Sequence, residues 1–154
     1  MTVFRTILLA TDFSDASAPA VDLAVQLAKS WGARLLAAHV YDEPRLPELS
    51  FAQVRLYEEF EKKVKTDAAR QLGEVAGRAR AEGVETEELL LRGFADEAIV
   101  QVARERVADL ILMGTHGRRG AGRFFLGSVA ARVIASAPCP VMTIRGREAS
   151  DRIS

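Results

Sequence analysis

The stretch Leu110-Ile111-Leu112-Met113-Gly114-Thr115-His116-Gly117-Arg118-Arg119-Gly120-Ala121-Gly122-Arg123-Phe124-Phe125-Leu126-Gly127-Ser128 decides how this chain reads. Its first four residues are a continuous apolar run. Behind it, Val129-Ala130-Ala131-Arg132-Val133-Ile134-Ala135 has an amphipathic pattern. The order is strand, glycine-rich loop, helix. Five glycines between positions 114 and 127 let the backbone turn sharply and approach a ligand closely. Gly127-Ser128 falls where the helix begins, so free N–H groups and the positive end of the helix dipole make an anion site there. Arg118, Arg119 and Arg123 add positive charge. Together these features read as a phosphate cradle late in an α/β domain.

The spacing sharpens that reading. Gly114-x-x-Gly117, nine residues, then Gly127-Ser128 resembles the G-x-x-G-(nine)-G-S/T motif of the universal stress protein family, in its ATP-binding branch. Three further segments carry the resemblance along nearly the whole chain. They are Leu8-Leu9-Ala10-Thr11-Asp12-Phe13-Ser14, Ala38-His39-Val40 and Pro138-Cys139-Pro140-Val141-Met142.

With 154 residues, 49% hydrophobic and 27% charged, the chain fits one globular domain with a real core. The formal net charge of zero gives no electrostatic case for nucleic acid or an anionic membrane. The apolar runs fall far short of the ~20 residues that span a bilayer. The start, Met1-Thr2-Val3-Phe4-Arg5, lacks a signal-peptide pattern, and one cysteine cannot make an internal disulfide, so the expected compartment is cytoplasmic. Cys139, between two prolines, reads as a small packed residue and not a nucleophile.

Ile7 to Ala10 has the unbroken apolar character of a strand covered on both faces. Asp12 follows it, and Ser14 or Asp15 suits a helix cap. The first helix has a stripe from Ala16 through Ala20, Leu23, Ala24, Leu27 and Ala28 to Trp31, and Gly32 ends it. Leu35 to Val40 is a second strand, followed by an irregular stretch with Pro44 and Pro47. A long helix is expected from about Phe51 to Glu82, with the stripe Phe60, Val64, Ala68, Leu72, Val75, Ala76 and Ala79. Val84 to Leu91 is a third strand. A third helix has the stripe Ile99, Val100, Ala103 and Val107, with Asp96 and Glu97 in its first turn. Asp109 to Met113 is a fourth strand, and Val141 to Ile144 a short fifth one after Pro138.

Strands alternating with helices imply parallel β-α-β units. The expected fold is α/β: an open, doubly wound, Rossmann-like parallel sheet of five strands with helices on both faces. The family resemblance implies the order 3-2-1-4-5. One nucleotide-binding domain covers residues 1–146, and a polar C-terminal tail covers 147–154.

In open α/β sheets ligands sit beyond the carboxyl ends of the strands, at the switch point in strand order. Here that is between strands one and four, where Asp12 and the glycine loop emerge. The resemblance implies that Ala10, Asp12, Val40, Gly114, Thr115, His116, Gly117, Arg118, Arg119, Gly120, Gly127, Ser128 and Val129 line the nucleotide site. Thr11, between Ala10 and Asp12, joins the candidate set. Backbone N–H groups of Gly117, Gly127 and Ser128, with the Ser128 hydroxyl, suit phosphate oxygens. Arg118 and Arg119 neutralise charge; Arg123 reads equally as a solvated loop charge. Asp12 suits ribose hydroxyls, the adenine amino group or a divalent cation, as well as a turn or cap. Val40 and Ala10 offer an apolar wall. His39, in an apolar strand, reads as packed and hydrogen-bonded, and His116 as a backbone contact.

The expected ligand is ATP, alone or with Mg or Mn, and the expected partner a second copy joined through the C-terminal strand. The leading function is a nucleotide-dependent switch or sensor. The alternatives are a slow ATPase or an ATP-using enzyme on the same site and a phospho-acceptor receiver, but the acidic pair and the acceptor Asp of a receiver are missing. G-x-x-x-x-G-K-S/T, G-x-G-x-x-G after strand one and zinc-spaced Cys/His clusters are also absent.

Overall fold

A computed structural model describes residues 4–41, 48–116 and 126–146. Strands β1 (Thr6–Ala10), β2 (Arg34–Tyr41), β3 (Thr86–Arg92), β4 (Leu110–Gly114) and β5 (Val141–Ile144) form one parallel sheet in the order β3-β2-β1-β4-β5. Helices α1 (Ala18–Trp31), α2 (Phe51–Ala81), α3 (Ala95–Glu105) and α4 (Ser128–Ser136) connect them. The expected architecture and strand order are both present.

The apolar runs form strands because both faces of the sheet are covered. Ile7, Leu9, Leu35, Leu110 and Leu112 point to one face and pack with Ala20, Val21, Ala24 and Ala28 of α1 and Ala79 of α2. Leu8, Leu36 and Ile111 point to the other, against Ile99, Val100 and Ala103 of α3 and Ala130 and Val133 of α4. This period-2 division makes every residue of an apolar run a core residue. The edge strands differ: β5 is half-buried throughout, and β3 mixes Glu87 and Glu88 with Leu89. Cys139 packs against the α3–α4 layer, where burial pushes its thiol pKa up, as expected for a packed residue rather than a nucleophile.

Two expectations about helix stripes need correction. Val107 lies beyond the end of α3, 75% exposed, with φ of 51°. Its apolar side chain continued the period, but the chain has already turned toward Ala108, which is buried. In α2 only Ala68, Leu72, Ala76 and Ala79 are buried, and Phe60 is 65% exposed. The helix is longer than the sheet it covers, so its first half has no layer to pack on among the described residues. The first helix also begins differently: a 3-10 turn at Asp15–Ser17 precedes α1, and Ser14 caps it by accepting from Ser17 N–H.

Candidate functional site

Register places the site. Ala10 of β1 pairs with Met113 of β4, and Gly114 pairs with Ile144 of β5. Thr11-Asp12 and Gly114-Thr115-His116 therefore leave the sheet side by side, at the point where the order reverses. Val40 stands one strand away, half-buried against the α3–α4 core.

The turn after β1 satisfies itself. Thr11 N–H donates to Ala38 O (3.0 Å), while Thr11 Oγ1 accepts from Phe13 N–H (3.1 Å) and bonds Ser17 Oγ (3.1 Å). Asp12 Oδ1 accepts from Ser14 N–H at 3.0 Å and from Ser14 Oγ at 2.5 Å. Phe13 takes φ of 63°, uncommon for a bulky residue. Its ring stacks on His39 (centroids 4.4 Å apart), whose Nδ1–H donates to Thr11 O at 2.8 Å. His39 is thus the packed, hydrogen-bonded histidine expected. Asp12 does serve the turn, and its carboxylate is held at the mouth of the crevice by doing so.

The turn into α4 is built the other way. Gly127 N–H donates to Thr115 O at 2.7 Å, which closes the loop onto the end of β4. A Cβ on Gly127 would stand 2.8 Å from Thr115 O, so this approach admits only glycine without movement. Gly127 O accepts the first helical bond, from Ala131 N–H at 2.9 Å. Among the described residues no side chain caps α4, and its first turn carries no acidic residue. The N–H groups of Ser128, Val129 and Ala130 open the helix without a side-chain acceptor among the described residues.

The sequence reading expected Gly127 to donate to phosphate. Its N–H is instead committed to Thr115 O, which leaves Ser128, Val129 and Ala130 as the candidate donors. Gly127 acts through its missing side chain. Gly114 is less constrained, since a Cβ there would meet its nearest neighbours at 3.5 Å, an ordinary contact. Gly117, Arg118, Arg119 and Gly120 of the candidate set, and Arg123, lie outside the described residues.

His116 carries a signal that the sequence could not give. Its Nδ1 bonds Thr115 Oγ1 at 2.9 Å, while its Nε2 is buried with no hydrogen-bond partner among the described residues. A buried polar atom without a partner costs free energy unless something else binds it. Gly146 was also missed: a Cβ there would lie 2.9 Å from Ala16 O, so the chain leaves β5 tightly against the turn after β1.

A groove of about 280 Å³ lies between α1 and α2, lined by Thr11, Ser14, Gln71, Glu74 and Arg78. It is on the face of the sheet opposite α4. Arg78 pairs with Asp22 and Glu74 with Arg70, so its charges are already matched, and the open donors of α4 do not face it. The candidate anion-binding features lie instead at the carboxyl ends of β1 and β4. Among the described residues there is no group of three or more His, Cys, Asp or Glu placed to hold a metal, and no helix long and apolar enough to cross a membrane.

Comparison with known proteins agrees with this geometry. The model of the universal stress protein family matches residues 4–145. A universal stress protein of Thermus aquaticus is 41% identical over 149 residues, covering 93% of this chain and all of that one. The structure of a universal stress protein from Lactobacillus plantarum superposes with a TM-score of 0.82 at 25% identity, covering 92% of this chain and 98% of that one. A universal stress protein solved in complex with cAMP gives a TM-score of 0.70 at 28% identity, over 94% and 98% of the two chains. One from Archaeoglobus fulgidus in complex with dAMP gives 0.64 at 26% identity, over 93% and 99%.

Proposed function

Because this chain belongs to the universal stress protein family, we propose that it binds ATP in the β1–β4 crevice and acts as a nucleotide-dependent switch in the stress response. One observation carries the reading. The N-terminus of α4, which no side chain caps among the described residues, opens at the same sheet edge where β1 releases Asp12. A helix start with bare N–H groups and no acid in its first turn favours a phosphate. The relatives crystallised with cAMP and dAMP support an adenine nucleotide as the ligand class.

Each residue then has a role. Ser128, Val129 and Ala130 donate backbone N–H groups to phosphate oxygens, and the Ser128 hydroxyl adds another donor. His116 Nε2 finds its partner in the same ligand. Asp12, braced by Ser14, accepts from the ribose or adenine, or shares a Mg or Mn ion with the phosphates. Val40 and Ala10 give the base an apolar wall. Arg118 and Arg119 neutralise phosphate charge, and Gly117 and Gly120 let the loop close on it.

These roles bind phosphate and nucleoside and leave no residue of the set to activate water, so turnover stays below ~1 per second, under the usual enzyme range. The protein works in the cytoplasm as a homodimer through β5. That edge strand is short, apolar and half-buried, and such edges are normally covered. The test is mass spectrometry of the natively purified protein, followed by calorimetric titration with ATP, cAMP and inorganic triphosphate. Co-purifying ATP and saturable ATP heats are expected. A protein that carries no nucleotide and gives no heat with ATP would overturn the proposal.

A further inference from the structure

No residue in the first half of α2 is fully buried; the first buried residue of the helix is Ala68. Glu61 pairs with Arg92 and Lys65 lies over the Tyr41 ring, so the middle of α2 stands at the carboxyl ends of β2 and β3. From there the helix runs down the sheet, burying Ala68, Leu72, Ala76 and Ala79. The segment from Phe51 to Phe60 therefore extends roughly 15 Å beyond the sheet, at about 1.5 Å per residue. Ser50 starts it with a full capping box to Gln53, so the projection is a built helix and not a frayed end.

This projection is apolar where it meets solvent. Phe51, Val54, Leu56 and Phe60 are 81%, 36%, 68% and 65% exposed, half of the exposed large apolar side chains among the described residues. At roughly 100° per residue, Leu56 and Phe60 share a stripe turned more than about 100° from the face that carries Leu72 and Ala76 into the core. Folding onto the sheet cannot bury a stripe that points away from it. The half-buried Val64 continues the stripe at the same four-residue spacing.

We infer that this stripe is a self-association surface, on which the α2 projection of a second copy of the chain packs antiparallel. The sequence is matched to itself in that direction. A two-fold axis near Phe60 sets Phe60 on its own copy and Leu56 on the second copy's Val64. Glu59 and Lys63 lie along one flank of the stripe, and antiparallel helices bring identical flanks together. Glu59 then stands beside the second copy's Lys63, and Lys63 beside its Glu59. A parallel pairing would set that flank against the one carrying Tyr57 and Glu61, where a carboxylate meets Glu59 as well as Lys63, so the two matched pairs are lost. The contact falls below the ~1,200 Å² at the low end of stable interfaces, so it is weak, with Kd on the order of tens of micromolar. It lies at the β3 side of the sheet, away from β5, and does not depend on the nucleotide reading.

Sedimentation from about 5 to 300 μM tests this. The wild type is expected to double its mass across that range, starting from whatever state β5 sets. Leu56→Glu/Phe60→Glu alters two exposed residues, so the fold stands by circular dichroism, and its mass stays constant. Glu59→Lys and Lys63→Glu should each fail to double alone, and should associate when mixed, since the mixture sets opposite charges at both pairings. A wild-type mass that does not change, doubling that survives Leu56→Glu/Phe60→Glu, or a mixture of charge variants that stays unassociated would each overturn the inference.

Discussion

Two turns lie side by side at the carboxyl edge of this sheet, and they treat backbone N–H groups in opposite ways. After β1, the side chains of Thr11, Asp12 and Ser14 accept from Phe13, Ser14 and Ser17, and Asp15 sits in the first turn. After β4, Gly127 offers no side chain, and among the described residues nothing caps Ser128, Val129 and Ala130 at the start of α4, whose first turn holds no acid. A helix start normally gains about 1 kcal/mol from a cap. On the proposed reading, the start of α4, which has no such cap among the described residues, takes an external anion. The contrast separates two roles in the proposed site: the β1 turn supplies position and the α4 turn supplies binding.

The strongest way to break this contrast is Gly127→Val. Its branched side chain must enter the 2.8 Å approach to Thr115 O, so the loop has to move and α4 loses its aim. Calorimetry should show no ATP binding, while circular dichroism still reports a folded sheet. Tight ATP binding by the folded variant would mean that this loop is only a turn.

Ser128→Pro is cleaner. Proline suits the first helical position, and Gly127 at φ −59°, ψ 153° is already in the conformation favoured before proline. The substitution removes the leading N–H and the hydroxyl and leaves the helix. Losing a hydrogen bond to a charged group costs about 1.5–3 kcal/mol, so ATP affinity should fall roughly 10- to 150-fold, with Tm nearly unchanged. Ser128→Ala, measured alongside, isolates the hydroxyl. An affinity unchanged in Ser128→Pro would remove α4 from the site.

Asp12→Ala acts on the other turn and should sharpen the division. It deletes the acceptor for two Ser14 bonds, so stability falls by about 1–3 kcal/mol in chemical denaturation. If Asp12 reads the nucleoside, ATP weakens several-fold while inorganic triphosphate is bound as before. Equal weakening of both ligands would make Asp12 a cation holder instead. The smallest effect belongs to Ser14→Ala, which removes a cap worth about 1 kcal/mol. ATP affinity should stay within about twofold, because the Ser14 N–H still holds Asp12 Oδ1 when the hydroxyl is gone.

The contrast also marks how far the sequence could be read. Ile7 to Ala10, Leu35 to Val40 and Leu110 to Met113 announced buried parallel strands because covering both faces leaves no polar position. Periodicity could not show where the sheet ends, so it carried Phe60 and Val107 into stripes that have nothing to pack on. Spacing and resemblance picked out Asp12 and Gly127-Ser128, and the sheet register brings their two turns together. The direction of the Gly127 N–H was not legible, because Thr115 reaches it only when the loop closes. The burial of His116 Nε2 without a partner among the described residues and the approach of Gly146 to Ala16 were hidden for the same reason. They are tertiary contacts with no local pattern.

The central claim is that phosphate is held by the open N–H groups of α4 and not by the closed turn after β1. Titrating ATP into ¹⁵N-labelled protein and following backbone amide resonances tests it most directly. Large, saturable shifts are expected at Ser128, Val129 and Ala130, with Ser14 and Ser17 nearly still. Saturable shifts centred on Ser14 and Ser17, with α4 unmoved, would contradict it.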